Sequence, residues 1–298
     1  MRIFLSGGSG FIGKELIKKL SLKKFKILVL TRKERYFKSK NIDQVIGDFN
    51  LSEKNILKIK RFKPKIFIHL AWSQIPDYSF TNSFKNLKNQ INFFETIKLI
   101  KSIKKIIVTG SCWEYMQEKG ICDDINAIDL NTNASFNEKI IHFVLAKKNL
   151  LQYLFSRFKE KKIVWLRLFY VYGTGQKKNS LIPFLISKSK KNLKAKLNNP
   201  NGANDFVNVS DVCDAIIKSL NYNESGIFNV GSGILISNKS IKDTVENFFR
   251  NKKFKFKKNN KYKKLVGYKS SNIKIKKRMG WEPKISFENG LKKVLENA

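Results

Sequence analysis

Near-continuous apolar runs alternate with longer stretches of helical spacing through the first two thirds of the chain. The runs predict strands at 2–6, 26–31, 43–47, 65–71, 105–110 and 162–168. Lys65-Ile66-Phe67-Ile68-His69-Leu70-Ala71 and Lys105-Ile106-Ile107-Val108-Thr109 lack the in–out alternation of a half-exposed strand. Such runs fit parallel strands covered on both faces. Helices are predicted between them, notably at 80–103 and 136–160. In the latter, Ile140, Phe143, Val144, Leu150, Leu151 and Leu154 recur at helical spacing. The alternation predicts an α/β fold: a doubly wound parallel sheet with its ligand at the carboxyl ends of the strands. From about residue 174 the pattern loosens into turn-rich, basic stretches. One strand-like run returns at 226–231, and the last third reads as short helices with little sheet signal.

The first strand leads into Gly7-Gly8-Ser9-Gly10-Phe11-Ile12-Gly13 and then an amphipathic helix. A helix start without bulky side chains leaves its free N–H groups and the positive end of its dipole open to a pyrophosphate. Gly7 permits the tight turn, Gly10 lets the backbone approach the phosphates, and Gly13 lets helix pack on strand. Strand before and helix after are the context a dinucleotide site requires. The chain therefore divides into a Rossmann-type dinucleotide-binding domain at 1–173, with a returning segment near 205–232, and a smaller substrate-binding lobe at 174–298.

Composition narrows the classes. The 298 residues are 42% hydrophobic, enough for a full core. No apolar run reaches membrane-spanning length and the chain enters a strand at once, so a cytoplasmic protein without signal peptide or anchor is expected. Cys112, Cys122 and Cys213 are too scattered for a disulfide framework or zinc site, and His69 and His142 are the only histidines; no metal is expected. Sixty Lys and Arg against 23 Asp and Glu give a net charge of +37. The lysines are spread throughout and accompany many Asn, Ile and Phe, the signature of an AT-rich genome rather than of a nucleic-acid footprint. The charge still draws anionic ligands towards clefts.

The chain resembles the extended short-chain dehydrogenase/reductases, the NAD-dependent epimerase/dehydratases that act on nucleotide sugars. The resemblance is carried by the glycine turn, His69-Leu70-Ala71, Gly110-Ser111-Cys112-Trp113-Glu114-Tyr115 and Arg167-Leu168-Phe169-Tyr170-Val171-Tyr172-Gly173. Further on come Asp205-Phe206-Val207-Asn208-Val209-Ser210-Asp211-Val212, the 226–233 segment and Met279-Gly280-Trp281-Glu282-Pro283. Each piece is weak alone; their order and spacing are specific. The resemblance implies a cofactor site formed by Gly7, Gly10, Phe11, Ile12, Gly13, Arg32, Asp48, Phe49, Leu70, Ala71 and Lys147.

In that family a Ser or Thr, a Tyr and a Lys four residues after it form the catalytic group. The Tyr moves a proton at a sugar hydroxyl or carbonyl while nicotinamide moves hydride, and the Lys holds the ribose and lowers the phenol pKa. Ser111 and Lys147 match the serine and the lysine. At the tyrosine position stands Phe143, which keeps the shape and loses the proton. Three explanations stay open: a catalytically impaired member, replacement of the phenol by His142, Tyr115 or a water ordered by Ser111, or a phenylalanine introduced to trap substrate.

The second strand ends Val29-Leu30-Thr31-Arg32-Lys33. Members preferring NAD carry an acid there for the ribose hydroxyls, whereas Arg32 and Lys33 suit a 2′-phosphate. NADP is therefore expected, with NAD the alternative. Asp48 matches the family's acid near the adenine, and a turn aspartate would read the same. Before Asp205, where the family often has an arginine for the nucleotide diphosphate, stands Asn204. The expected function is a nucleotide-sugar epimerase, dehydratase or 4-ketoreductase in surface-polysaccharide synthesis, with a lean to ketoreductase. The alternative is a nucleotide-binding regulatory or scaffold protein. A homodimer through the 80–103 and 136–160 helices is expected, as in the family.

Overall fold

The computed structural model describes residues 1–116, 119–123, 138–256 and 265–298. Seven strands form the main sheet: β1 (Arg2–Ser6), β2 (Lys26–Thr31), β3 (Ile42–Ile46), β4 (Ile66–His69), β5 (Lys105–Ser111), β7 (Lys162–Leu168) and β10 (Gly226–Val230). The remaining short strands are β6 (Gly120–Cys122), β8 (Tyr170–Tyr172), β9 (Ala203–Asn208), β11 (Leu235–Ser237) and β12 (Tyr268–Ser270). The main sheet runs β10-β7-β5-β4-β1-β2-β3. It is parallel where β1 pairs with β2 and β4, β2 with β3, and β4 with β5. Strand order reverses at β1, with β2 on one side and β4 on the other. The carboxyl ends of β1 and β4 are thus the switch point where such sheets bind ligands.

Helices cover both faces because successive strand residues point to opposite sides. On one face Phe4, Leu28, Phe67, Ile106, Val108 and Trp165 join a core with α2 (Glu53–Phe62), α3 (Phe80–Lys98) and α4 (Glu138–Arg157). The helices contribute Ile59, Phe93, Phe94, Ile97, Leu150 and Leu154. α1 (Phe11–Leu22) buries Leu16, Ile17 and Leu20. It is tied to Cys213, whose thiol donates to the Ile12 carbonyl at 3.6 Å, and to Asp214, which pairs with Lys19 at 2.7 Å. The predicted strands match in place and nearly in length. The 80–103 helix ends at Lys98, and the first two residues predicted for the 136–160 helix lie outside the described residues.

The chain divides into two compact units, one of residues 1–116, 135–167 and 213–228, the other of 117–134, 168–212 and 229–298. The second holds more sheet than its sequence pattern predicts. β9 lies between β11, antiparallel to it, and β8, parallel to it, while β6 pairs with β12. β6, β8, β11 and β12 have three residues each, too few to show a period. β9 hides its alternation behind Asp205, a carboxylate with 0% exposure where an apolar residue would be expected. It accepts hydrogen bonds from the backbone N–H groups of Ser232, Gly233 and Ser270 and from both serine hydroxyls, at 2.6–2.9 Å. Five donors satisfy a buried carboxylate that would otherwise be costly. Asp211 likewise accepts from the Lys284 and Ile285 N–H groups, while its carbonyl takes the Trp281 indole N–H at 3.0 Å. These motif residues clasp backbone within the second unit. This unit also contains α5 (Leu181–Lys190), α7 (Asn238–Asn251), α8 (Ile273–Met279) and α9 (Phe287–Glu296); α6 (Val209–Ser219) spans the division between units.

Candidate active site

The glycine turn sits at the carboxyl end of β1. Gly7 has φ +77°, and a Cβ there would lie 2.8 Å from the Ala71 backbone nitrogen. Leu70 and Ala71 therefore form the wall against which the turn closes. The Gly10 N–H donates to the Gly7 carbonyl at 3.0 Å, and a Cβ on Gly13 would collide with that same carbonyl oxygen. α1 starts at Phe11 with no side-chain cap and no acid in its first turn. Its leading N–H groups, those of Phe11, Ile12 and Gly13, and its positive dipole end are left for an external anion. These features fit a dinucleotide pyrophosphate.

Around this turn the side chains separate by task. Arg32 and Lys33 follow β2 and are exposed. Asp48, after β3, is exposed and accepts from the Asn50 N–H at 2.9 Å, a local turn contact. The Phe49 ring is turned inward, 5.0 Å from Phe93 and 5.6 Å from His69. His69 is fully buried between the Ser6 hydroxyl at 2.8 Å on Nδ1 and the Gln90 side-chain oxygen at 2.9 Å on Nε2. Burial lowers its pKa to about 3. It is a neutral strut that locks β1, β4 and α3 beneath the turn.

The second cluster lies at the carboxyl end of β5 and on α4. Lys147 is 5% exposed; its ammonium donates to the Thr109 carbonyl at 2.9 Å and lies 4.2 Å from the Trp72 ring centroid. Desolvation lowers its pKa to about 8, against the opposing pull of Glu114. Ser111 caps the short turn Cys112–Tyr115: its hydroxyl accepts from the Trp113 N–H at 3.2 Å, leaving its proton to donate. Phe143, one turn before Lys147 on α4, is enclosed by Trp72, Tyr78 and Trp113, with ring centroids 5.2, 5.1 and 5.8 Å away. Nothing in this cage takes the place of a phenol oxygen on Phe143 itself.

Beneath the cluster Glu114 and Arg167 are both at 0% exposure and pair at 2.9 Å. Glu114 also accepts from the Ser111 N–H at 2.7 Å and from the Trp165 indole at 3.0 Å. The carboxylate thereby fixes the backbone that carries Ser111. The Arg167 guanidinium lies 5.0 Å from the Tyr115 ring, so Tyr115 is buried below the site. The His142 ring packs edge-on against Phe80 at 5.3 Å.

Gly7, Gly10, Phe11, Ile12, Gly13, Leu70 and Ala71 are thus assembled at the switch point, with Arg32, Asp48 and Phe49 at the ends of the neighbouring strands. Ser111, Phe143 and Lys147 belong to the β5–α4 cluster. Sequence reasoning missed Trp72, Tyr78 and Thr109. Trp72 follows His69-Leu70-Ala71 directly, which was the available signal; Tyr78 and Thr109 gave none.

Known proteins of similar sequence and shape converge on one group. The chain is 27% identical over 266 residues to the dTDP-6-deoxy-L-talose 4-dehydrogenase (NAD(+)) of Aggregatibacter actinomycetemcomitans, covering 86% of this chain and 93% of that protein. It is 23% identical over 328 residues to the dTDP-4-dehydro-6-deoxyglucose reductase of Escherichia coli, covering 99% and 96%. Among solved structures, a UDP-glucose 4-epimerase of Thermotoga maritima with UDP-glucose superposes with a TM-score of 0.80 at 21% identity, covering 99% and 98%. The Bordetella bronchiseptica enzyme WbmG in complex with NAD superposes with a TM-score of 0.78 at 18% identity, covering 99% and 93%. The sequence profile of the NAD dependent epimerase/dehydratase family matches residues 3–231, and the chain belongs to that family.

Proposed function

We propose that the chain is an NADP(H)-preferring 4-ketoreductase of nucleoside-diphosphate sugars that serves surface-polysaccharide synthesis. The observation that carries this reading is the buried Lys147 ammonium on the Thr109 carbonyl, two residues before Ser111 in the chain, in the same unit as an uncapped glycine-turn helix. The names of relatives add weight: a 4-dehydrogenase and a 4-dehydro-sugar reductase act at the same carbon from opposite directions. The bound nicotinamide supplies or removes hydride. The protein's own residues do the rest. The start of α1 would hold the pyrophosphate, Lys147 would hold the ribose and contribute positive charge, and the free proton of Ser111 would orient the substrate carbonyl oxygen.

Arg32 and Lys33 favour a 2′-phosphate because no carboxylate pairs with either among the described residues. Titration with both reduced cofactors, followed by fluorescence, is expected to show tighter binding of NADPH, and Arg32→Ala should narrow the difference. Equal or stronger binding of NADH would make the pair ordinary surface cations. Turnover is tested with NADPH and a panel of nucleoside-diphosphate 4-keto-sugars. The second reading, a binding protein without turnover, is favoured by Phe143; it is the better one if cofactor binds and neither the wild type nor Phe143→Tyr reduces any member of the panel.

A further inference from the structure

Resting on the reductase reading, we infer that Lys147 is itself the proton donor of this chain, taking over the step that a phenol at residue 143 would perform. Its ammonium is placed for it. Of three N–H donors one is used, on the Thr109 carbonyl at 2.9 Å, and the Trp72 ring covers another side at 4.2 Å. No carboxylate lies within ion-pair distance among the described residues. The Phe143 ring centroid is 5.9 Å from the nitrogen. Phe143 carries no hydroxyl, so the proton has to reach a carbonyl oxygen, directly or through one bridging water, from another group. Hydrogen-bond reach, direct or through one water, is what an acid catalyst needs.

The surroundings keep the proton exchangeable. Glu114 is neutralised by Arg167, His69 is uncharged, and Lys148 points to the Met116 sulfur at 3.7 Å. Tyr78, from the segment before α3, has its pKa raised by burial and has no hydrogen bond to Lys147. Burial lowers the Lys147 pKa to about 8, with Glu114 pulling the other way, which brings it close to a working pH. In the step, hydride from the reduced nicotinamide forms a C–H bond at the sugar carbonyl carbon. The C=O π pair moves to oxygen and takes a proton from the ammonium. The neutral amine left behind regains its proton from solvent, and the nicotinamide leaves oxidised.

Two measurements test this. In the cofactor-free protein, deprotonation removes a cation from the face of Trp72. Tryptophan emission should therefore titrate with a midpoint near 8; Lys147→Arg should abolish the transition, and Trp72→Phe should leave only the smaller part from Trp165, whose ring centroid is 5.8 Å from the ammonium. In turnover, the reduction rate should fall above that midpoint. Lys147→Arg keeps the charge and withholds the proton, so it should cost ~10²-fold or more in the wild type and much less in the Phe143→Tyr background. Should the arginine disturb folding, Lys147→Cys alkylated with bromoethylamine restores a less basic ammonium and should move the limb to lower pH. Wild-type rates in Lys147→Arg, or loss of turnover on Tyr78→Phe or His142→Ala while Lys147→Arg stays active, would overturn the assignment. Turnover by Phe143→Tyr alone, with none by the wild type, also overturns it but leaves the reductase reading standing; turnover by neither removes that reading.

Discussion

On the proposed reading, Phe143 sets how fast the site works. If the phenol is restored, Phe143→Tyr places a hydroxyl within the cage of Trp72, Tyr78 and Trp113, one helical turn from the Lys147 ammonium. A phenol tuned by Lys147 adds to the donor already there, so turnover on the preferred 4-keto-sugar should rise over the wild type, by less than the ~10²–10⁴-fold a positioned proton donor is worth where none exists. Lys147→Ala in the same background should remove the gain, because the ammonium both lowers the phenol pKa and holds the ribose. Steady-state rates of the four proteins of this cycle measure it. His69 makes a different kind of prediction. Its pKa falls from an ordinary 6.5 to about 3 on burial. Above 6.5 the ring is neutral folded or unfolded; below it the unfolded chain binds a proton that the folded chain refuses. Stability should therefore fall by about 1.4 kcal/mol for each pH unit between 6.5 and 3 on account of this residue. Urea unfolding at neutral and mildly acidic pH, compared with His69→Gln, should show that component vanish in the variant.

At the scale of elements, α3 exposes a pair of aromatic rings beside α4. Phe80 is 57% and Phe84 39% exposed, with ring centroids 4.5 Å apart, and His142 of α4 stands edge-on to Phe80. Two exposed aromatics on α3, with the half-buried His142 of α4 against them, suit a twofold contact in which the same patch meets itself. Light scattering at moderate salt should give twice the chain mass of 34.6 kDa, and Phe84→Asp should give the monomer. A monomeric wild type would count against the contact. The central strands were readable in the sequence because both-sided burial makes them apolar end to end, as in 65–71 and 105–110. The nucleotide turn was readable because its glycines are backbone requirements. The sheets of the second unit were not, since three-residue strands have no period and Asp205 is buried by five hydrogen bonds rather than by apolarity. The cluster around Phe143 was half readable. Ser111 and Lys147 hold fixed offsets, whereas Trp72 and Tyr78 reach Phe143 through space, across a loop whose course no local pattern reveals.

For the whole molecule, a charge of +37 on 298 residues raises the local concentration of anions and should make the association rates of anionic ligands fall with salt. That field is nonspecific; the proposed chemistry rests on the glycine turn and the β5–α4 cluster. The direct test of the central claim is hydride transfer itself. The protein is mixed with NADPH carrying deuterium at the transferable position and with a nucleoside-diphosphate 4-keto-sugar, and the product sugar is analysed by mass spectrometry and NMR. The account predicts one deuterium at C4 of a newly formed alcohol, made slowly by the wild type and faster by Phe143→Tyr. Cofactor that binds while its deuterium never reaches the sugar, in either protein, would contradict it.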